Sequence, residues 1–197
     1  MRIAQNSLIF QLFILQILLF LSLTACSQKQ VNTLGYEIDE FKFVNQDGEN
    51  LSTSDLKGTV WLTDFVFTNC DTICPPMTAN MAKVQKRLLE EGLQVPIISF
   101  SVDPVRDSPE TLKAFGEKYG ADYGTWNFVT GYSQKEIEQF ALTSFKTLVQ
   151  MPTDSDQVIH GSSFYLVDEN GRVIKSYDGV NLPSLDEFVN DIKTIQK

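Results

Sequence analysis

A chain of 197 residues has room for one ordinary domain and a targeting segment. Its 25 Asp and Glu against 16 Lys and Arg give a formal net charge of −9, which argues against nucleic-acid binding and favours cations or basic partner surfaces. Three cysteines and one histidine are the only soft or redox-active groups beyond methionine.

Residues 1–25 read as a leader. Arg2 supplies the positive start, Leu8 to Leu23 is almost unbroken Leu, Ile and Phe, and Leu23-Thr24-Ala25-Cys26 resembles the bacterial lipobox. In a lipobox protein the cysteine sulfur receives a diacylglycerol and, after cleavage, becomes part of the lipidated amino terminus. The competing reading is an uncleaved signal anchor with an incidental cysteine. Ser27-Gln28-Lys29-Gln30 favours lipidation, because residues 26–35 then form the polar tether a surface lipoprotein needs. Cleavage removes Arg2, leaving 15 basic against 25 acidic side chains, a net charge of −10. It also leaves Cys70 and Cys74 as the only free pair, in an oxidising compartment where thiols are either bridged or kept reduced for a purpose.

Residues 36–197 are expected to form one domain. Phe41 to Val44 and Leu51, flanking Gln46-Asp47-Gly48, predict a hairpin with a tight Asp-Gly turn. Val60 to Phe67 predicts a buried strand. Met77, Met81, Val84 and Leu88 mark one face of a helix that starts at Pro75 and ends near Gly92. Val95 to Val102 is a second strand, and Ser108-Pro109 opens a helix with Leu112, Phe115 and Tyr119 inward. A short strand, Trp126 to Val129, precedes a capping box at Ser133 and Glu136 and a helix burying Ile137, Phe140 and Ala141. Phe145 to Val158 is a strand-and-loop excursion. Ser163 to Val167 and Val173 to Tyr177 form a hairpin, and a second capping box, Ser184 to Glu187, starts the last helix. A hairpin, βαβα, then ββα with helical and loop insertions is the order of a thioredoxin-like α/β fold.

The chemistry gathers at Cys70-Asp71-Thr72-Ile73-Cys74. In open α/β sheets, ligands collect beyond the carboxyl ends of strands, and a helix N-terminus favours the thiolate. Pro75 biases Cys74 away from helical geometry, so the loop is expected to stay extended up to the second sulfur. A merely stabilising disulfide would close a tiny loop and add little. A structural zinc site wants four ligands, and only three are obvious. His160 precedes the strand Ser163 to Val167, and the fold places it in a loop opposite the cysteines. Its plain alternative is a hydrogen-bonded loop histidine. Two thiolates and an imidazole suit copper. Met77 and Met81 could add thioethers, but their helical period points to core packing.

Three stretches together resemble the Sco/SenC family: Phe67-Thr68-Asn69-Cys70-Asp71-Thr72-Ile73-Cys74-Pro75, Ser101 to Pro109 (SVDPVRDSP), and His160 to Asp168 (HGSSFYLVD). The resemblance runs from about Phe41 to the C-terminus, and with the lipobox it is similar to bacterial membrane-tethered Sco lipoproteins. It implies one copper per chain, Cu(I) or Cu(II), held by Cys70, Cys74 and His160. It further implies a role in maturing the CuA centre on subunit II of cytochrome c oxidase, by a lipid-anchored monomer on the extracytoplasmic face of the cell membrane. It also implies that Asp103 lies beside the site and influences copper, against a plain role as a turn residue before Pro104. The alternative function is an extracytoplasmic thiol-disulfide oxidoreductase that reduces the CuA cysteines through Cys70 and Cys74, or a copper or redox sensor. CxxxC in place of CxxC and an unneeded histidine weigh against a general oxidoreductase. Phe67, where a peroxiredoxin would carry threonine, weighs against that enzyme.

Overall fold

The apolar run that precedes the cysteines lies in the middle of the sheet. The computed structural model describes residues 34–196, so the leader and Cys26 lie outside the described residues. The strands are β1 (Tyr36–Glu37), β2 (Lys42–Asn45), β3 (Asn50–Ser52), β4 (Trp61–Val66), β5 (Ile97–Ser101), β6 (Trp126–Thr130), β7 (Val149–Gln150), β8 (Ile159–His160), β9 (Ser163–Val167) and β10 (Arg172–Asp178). The helices are α1 (Cys74–Glu90), α2 (Pro109–Tyr119), α3 (Gln134–Phe145) and α4 (Leu185–Ile195). Eight strands make one sheet in the order β1-β10-β9-β4-β5-β6-β2-β3, and β7 and β8 pair apart from it.

β4, β5 and β6 are parallel, and β9 runs antiparallel to β4 and turns back into β10. The βαβ unit β4-α1-β5 and the ββα unit β9-β10-α4 meet at β4, which gives a thioredoxin-like fold with α2, β6 and α3 inserted between them. The N-terminal hairpin β2–β3 turns through Gly48 at φ +78°, which an L side chain resists. Asn45 Oδ1 completes the turn by accepting the N–H groups of Asp47 and Glu49. Pairing begins earlier than the expected tether boundary: Leu34 and Gly35 donate to the carbonyls of Ile174 and Val173 beside β1.

Parallel strands bury both faces, and every residue of β4 and β5 is buried. Leu62, Val66 and Ile97 pack under Met77, Met81, Val84 and Leu88 of α1 and Phe188 of α4. Both of these methionines are therefore core residues, as their period predicts. Trp61, Phe65 and Phe100 pack against Ile137, Phe140 and Phe145 of α3 on the other face. The capping box at Ser133 and Glu136 forms as expected. The one expected at Ser184 does not: Ser184 accepts the Asp186 N–H, while Glu187 reaches back to Lys175 at 2.7 Å. No helix among the described residues is long and apolar enough to cross a membrane.

Candidate metal centre

Val66 ends β4 at the top of the sheet, and the chain must then turn to enter α1. That turn holds Cys70, and α1 begins at Cys74 itself, with Ile73 already helical at φ −93°, ψ −28°. The expected extended approach to the second sulfur is therefore corrected. Burial of Cys74 and a hydrogen bond from its N–H to Cys70 Sγ at 3.3 Å outweigh the pre-proline preference. α1 has no side-chain cap, so the Cys70 sulfur takes one of the free N–H groups, and Pro75 and Pro76 have none to satisfy.

His160 arrives from the long excursion. The segment after α3 forms the ribbon β7–β8, with Val149 opposite His160, which makes His160 a strand residue and not the loop residue expected. Two-residue strands carry no period that sequence reasoning can read. The ribbon brings Nε2 to 3.3 Å from Cys74 Sγ, while Nδ1 lies 2.9 Å from the Gly161 carbonyl. A carbonyl only accepts, so Nδ1 carries a proton and Nε2 faces the sulfurs, where it donates to a thiolate when protonated and offers its lone pair to a metal when not. Phe67 backs the ring edge-to-face at 5.7 Å. The two Sγ atoms and the imidazole nitrogen all lie within 4.8 Å of one another.

The thiols are unlike each other. Burial pushes Cys70 up, but hydrogen bonding to His160 and the Cys74 thiol, and to the N–H groups of Thr72 and Cys74, overcomes it and lowers its pKa to about 6. Cys74 is driven far up by burial, by its hydrogen bond to Cys70 and by the charges of Cys70 and Asp64, against one backbone N–H from Phe67. Cys70 is 9% exposed and Cys74 0%. Cys70 is thus the more exposed of the two and the readier thiolate, and Cys74 the sulfur that holds its proton more tightly.

Asp103 follows β5 with its carboxylate 1% exposed and paired to Arg106 Nη1 at 2.8 Å. Its carbonyl accepts the N–H groups of Arg106 and Asp107, so it also serves as the turn residue. His160 does not reach it, because Nδ1 is spent on Gly161. Asp107 accounts for more of the motif. It accepts Thr68 Oγ1 and Ser101 Oγ, both at 2.6 Å, and ties the loop after β5 to the chain just before Cys70.

Sequence reasoning missed Asp64. It sits in β4, 0% exposed, opposite Ser99, whose hydroxyl donates to Oδ1 at 2.5 Å and accepts from the Trp126 indole. Its Oδ2 is buried without a partner. Burial raises its pKa to about 6, against the Ser99 hydrogen bond and the charge of His160. A charged residue inside an apolar strand run was the available signal. Because the folded pKa is above the unfolded value of 3.8, the native chain holds a proton that the unfolded chain releases, and stability falls as pH rises from about 4 to 6. Two units correspond to about 3 kcal/mol. Asp64→Asn should therefore stabilise the reduced, metal-free protein at pH 7 by up to about 3 kcal/mol and flatten that pH dependence. Urea denaturation from pH 4 to 7 measures it; equal stability of the two proteins at pH 7 refutes it.

The family model described as SCO1/SenC matches residues 30–197. The chain belongs to the SCO1/SenC family. A SCO1 protein homolog of Bacillus subtilis is 54% identical over 178 residues, covering 90% of this chain and 92% of that one. The SCO1/SenC family lipoprotein of Bacillus anthracis superposes with a TM-score of 0.81 at 50% identity, over 84% of this chain and 98% of that one. BsSco, described as having a disulfide switch and as a member of the Sco family of cytochrome c oxidase assembly proteins, gives 0.78 at 54% identity, over 84% and 96%. The copper-bound ScoI of Bradyrhizobium japonicum gives 0.67 at 25% identity, over 81% and 99%.

Proposed function

We infer that this chain is a copper-binding assembly factor for the CuA centre of cytochrome c oxidase, with Cys70, Cys74 and His160 as donors. The observation that carries this reading is the convergence of two sulfurs and one imidazole nitrogen within 4.8 Å, brought together by the turn into α1 and the β7–β8 ribbon. The donor set fits copper. Two soft thiolates hold Cu(I), and the borderline nitrogen adds what Cu(II) prefers. Zinc, with three protein donors, would lack the fourth that a closed structural site takes. A copper-bound relative and a relative described as an oxidase assembly protein support the assignment. Copper here is cargo. Cys70 offers a ready thiolate, Cys74 gives up its proton on loading, and His160 keeps Nε2 free because Gly161 fixes the other nitrogen. Cytochrome oxidase activity in a deletion strain, with and without added copper, tests the role; full activity without either refutes it.

The second reading is reduction of the CuA cysteines on subunit II. It draws on the contrast between a slightly exposed, low-pKa Cys70 and a fully buried Cys74, the arrangement of an attacking and a resolving thiol, and on the disulfide switch described for BsSco.

The working location is the extracytoplasmic face of the cell membrane, where a monomer is held by lipid on Cys26, the leader 1–25 is removed and the tether starts at Cys26. A relative described as a lipoprotein supports this placement. Cys26→Ser should leave the chain unprocessed by lipoprotein maturation and shift its size and fractionation. A variant that stays membrane-bound at the normal size would identify a signal anchor instead.

A further inference from the structure

The segment that carries His160 to the thiols has few attachments of its own. Between residues 152 and 158 only Val158 is buried, and residues 153–156 are exposed. Among the described residues, the hydrogen bonds that tie this stretch to the rest of the fold come from two places. Arg106 Nη1 donates to the Asp156 carbonyl at 3.1 Å. Asn69, next to Cys70, donates from Nδ2 to Asp156 Oδ2 at 3.1 Å and accepts Gln157 Nε2 on its carbonyl at 2.9 Å. Asp156 and Gln157 lie four and three residues before His160, so what holds them sets where the imidazole sits.

Arg106 is anchored at its other side. The same Nη1 donates to Asp103 Oδ2, a carboxylate 1% exposed, while Arg106 itself is 44% exposed. An exposed ion pair would hold little, but a desolvated carboxylate with its Oδ1 already unpartnered depends on that guanidinium. Nη1 carries two N–H groups, so this one nitrogen reaches both acceptors, the buried carboxylate and the Asp156 carbonyl.

The geometry points to Arg106 as a positioning residue: fixed on buried Asp103, it fastens the segment 152–158 and thereby holds the His160 imidazole over Cys70 and Cys74. This rests on the reading of those three residues as the copper donors. It also assigns Asp103 its route to the site, through Arg106 and Asp156 and not through a hydrogen bond to His160.

The test compares reduced wild type with Arg106→Ala, Arg106→Lys, Asp103→Ala and the Ala–Ala double variant. In the metal-free proteins, Arg106→Ala should speed amide hydrogen exchange at residues 156–160 more than in α1, with some loss of urea stability because the buried Asp103 carboxylate loses its partner. Cu(II) affinity should fall about ten- to hundredfold, the usual cost of losing a group that orients a ligand. Cu(I), which the two thiolates hold, should change by less than about threefold. The double variant should lose no more Cu(II) affinity than Arg106→Ala alone, and Arg106→Lys, whose ammonium keeps the charge and has donors for both acceptors, should recover part of the loss. Unchanged exchange at 156–160 or simple additivity would each overturn the proposal. The exchange measurement needs no metal, so it judges the strap even where wild type binds no copper, an outcome that would sink the copper reading alone.

Discussion

Oxidation of Cys70 and Cys74 to a disulfide should abolish stoichiometric copper binding. The thiolates are two of the three donors, and a disulfide sulfur has no negative charge to offer a metal. The two Sγ atoms already lie within 4.8 Å of each other, so closing the bond asks for local movement of the cysteine turn. What remains after closure is the single imidazole of His160, and affinity should fall by several orders of magnitude. Linkage gives the same prediction a second form. If copper binds only the dithiol, it must make the disulfide easier to reduce, by about 30 mV for each tenfold excess of free Cu(I) over its Kd. Redox titration against a thiol buffer, with and without buffered Cu(I), reads this directly. Tight one-to-one binding by the oxidised protein, or a potential indifferent to copper, would remove the thiolates from the site.

Elements longer than about five residues were legible in the sequence because period and caps agree along them. Met77, Met81, Val84 and Leu88 mark the buried face of α1, and Ser108 and Ser133 cap their helices as their spacing predicts. The position of the cysteine loop was legible from the apolar strand before it and the helical period after it, but not its conformation, since Ile73 and Cys74 are already helical. The ribbon β7–β8 was not legible, since two residues per strand show no alternation, and its pairing joins Val149 to His160 and Gln150 to Ile159 across the loop. Yet that ribbon places His160. Asp64 was passed over because a strand run with one carboxylate still reads as a strand, and only the sheet shows Ser99 opposite it and His160 near enough to feel its charge. Asp103 was singled out in the sequence, but its partner was missed. A sequence shows Asp103 and Arg106 three apart and cannot show that the arginine continues to Asp156.

Replacing His160 with alanine separates the two functional readings. Cu(II) favours a tetragonal site containing nitrogen, and His160 supplies the chain's one imidazole. Cu(II) affinity should therefore drop by more than the about hundredfold that loss of an orienting group costs, and the sulfur-to-copper charge-transfer absorption should weaken or shift. Cu(I) should suffer far less, because the two thiolates can hold it. The dithiol survives the substitution, but not unchanged. Hydrogen bonding to His160 helps hold the Cys70 pKa down near 6, so without it the thiolate forms at higher pH. Disulfide exchange on a model substrate should slow near neutrality and recover as pH rises, with the whole profile displaced upward. A copper-assembly role requires that this variant fail to restore cytochrome oxidase in a deletion strain, even in medium alkaline enough to restore exchange. If His160→Ala restores the oxidase fully while Cys70→Ala does not, the protein works through its thiols, and reduction of the CuA cysteines becomes its function.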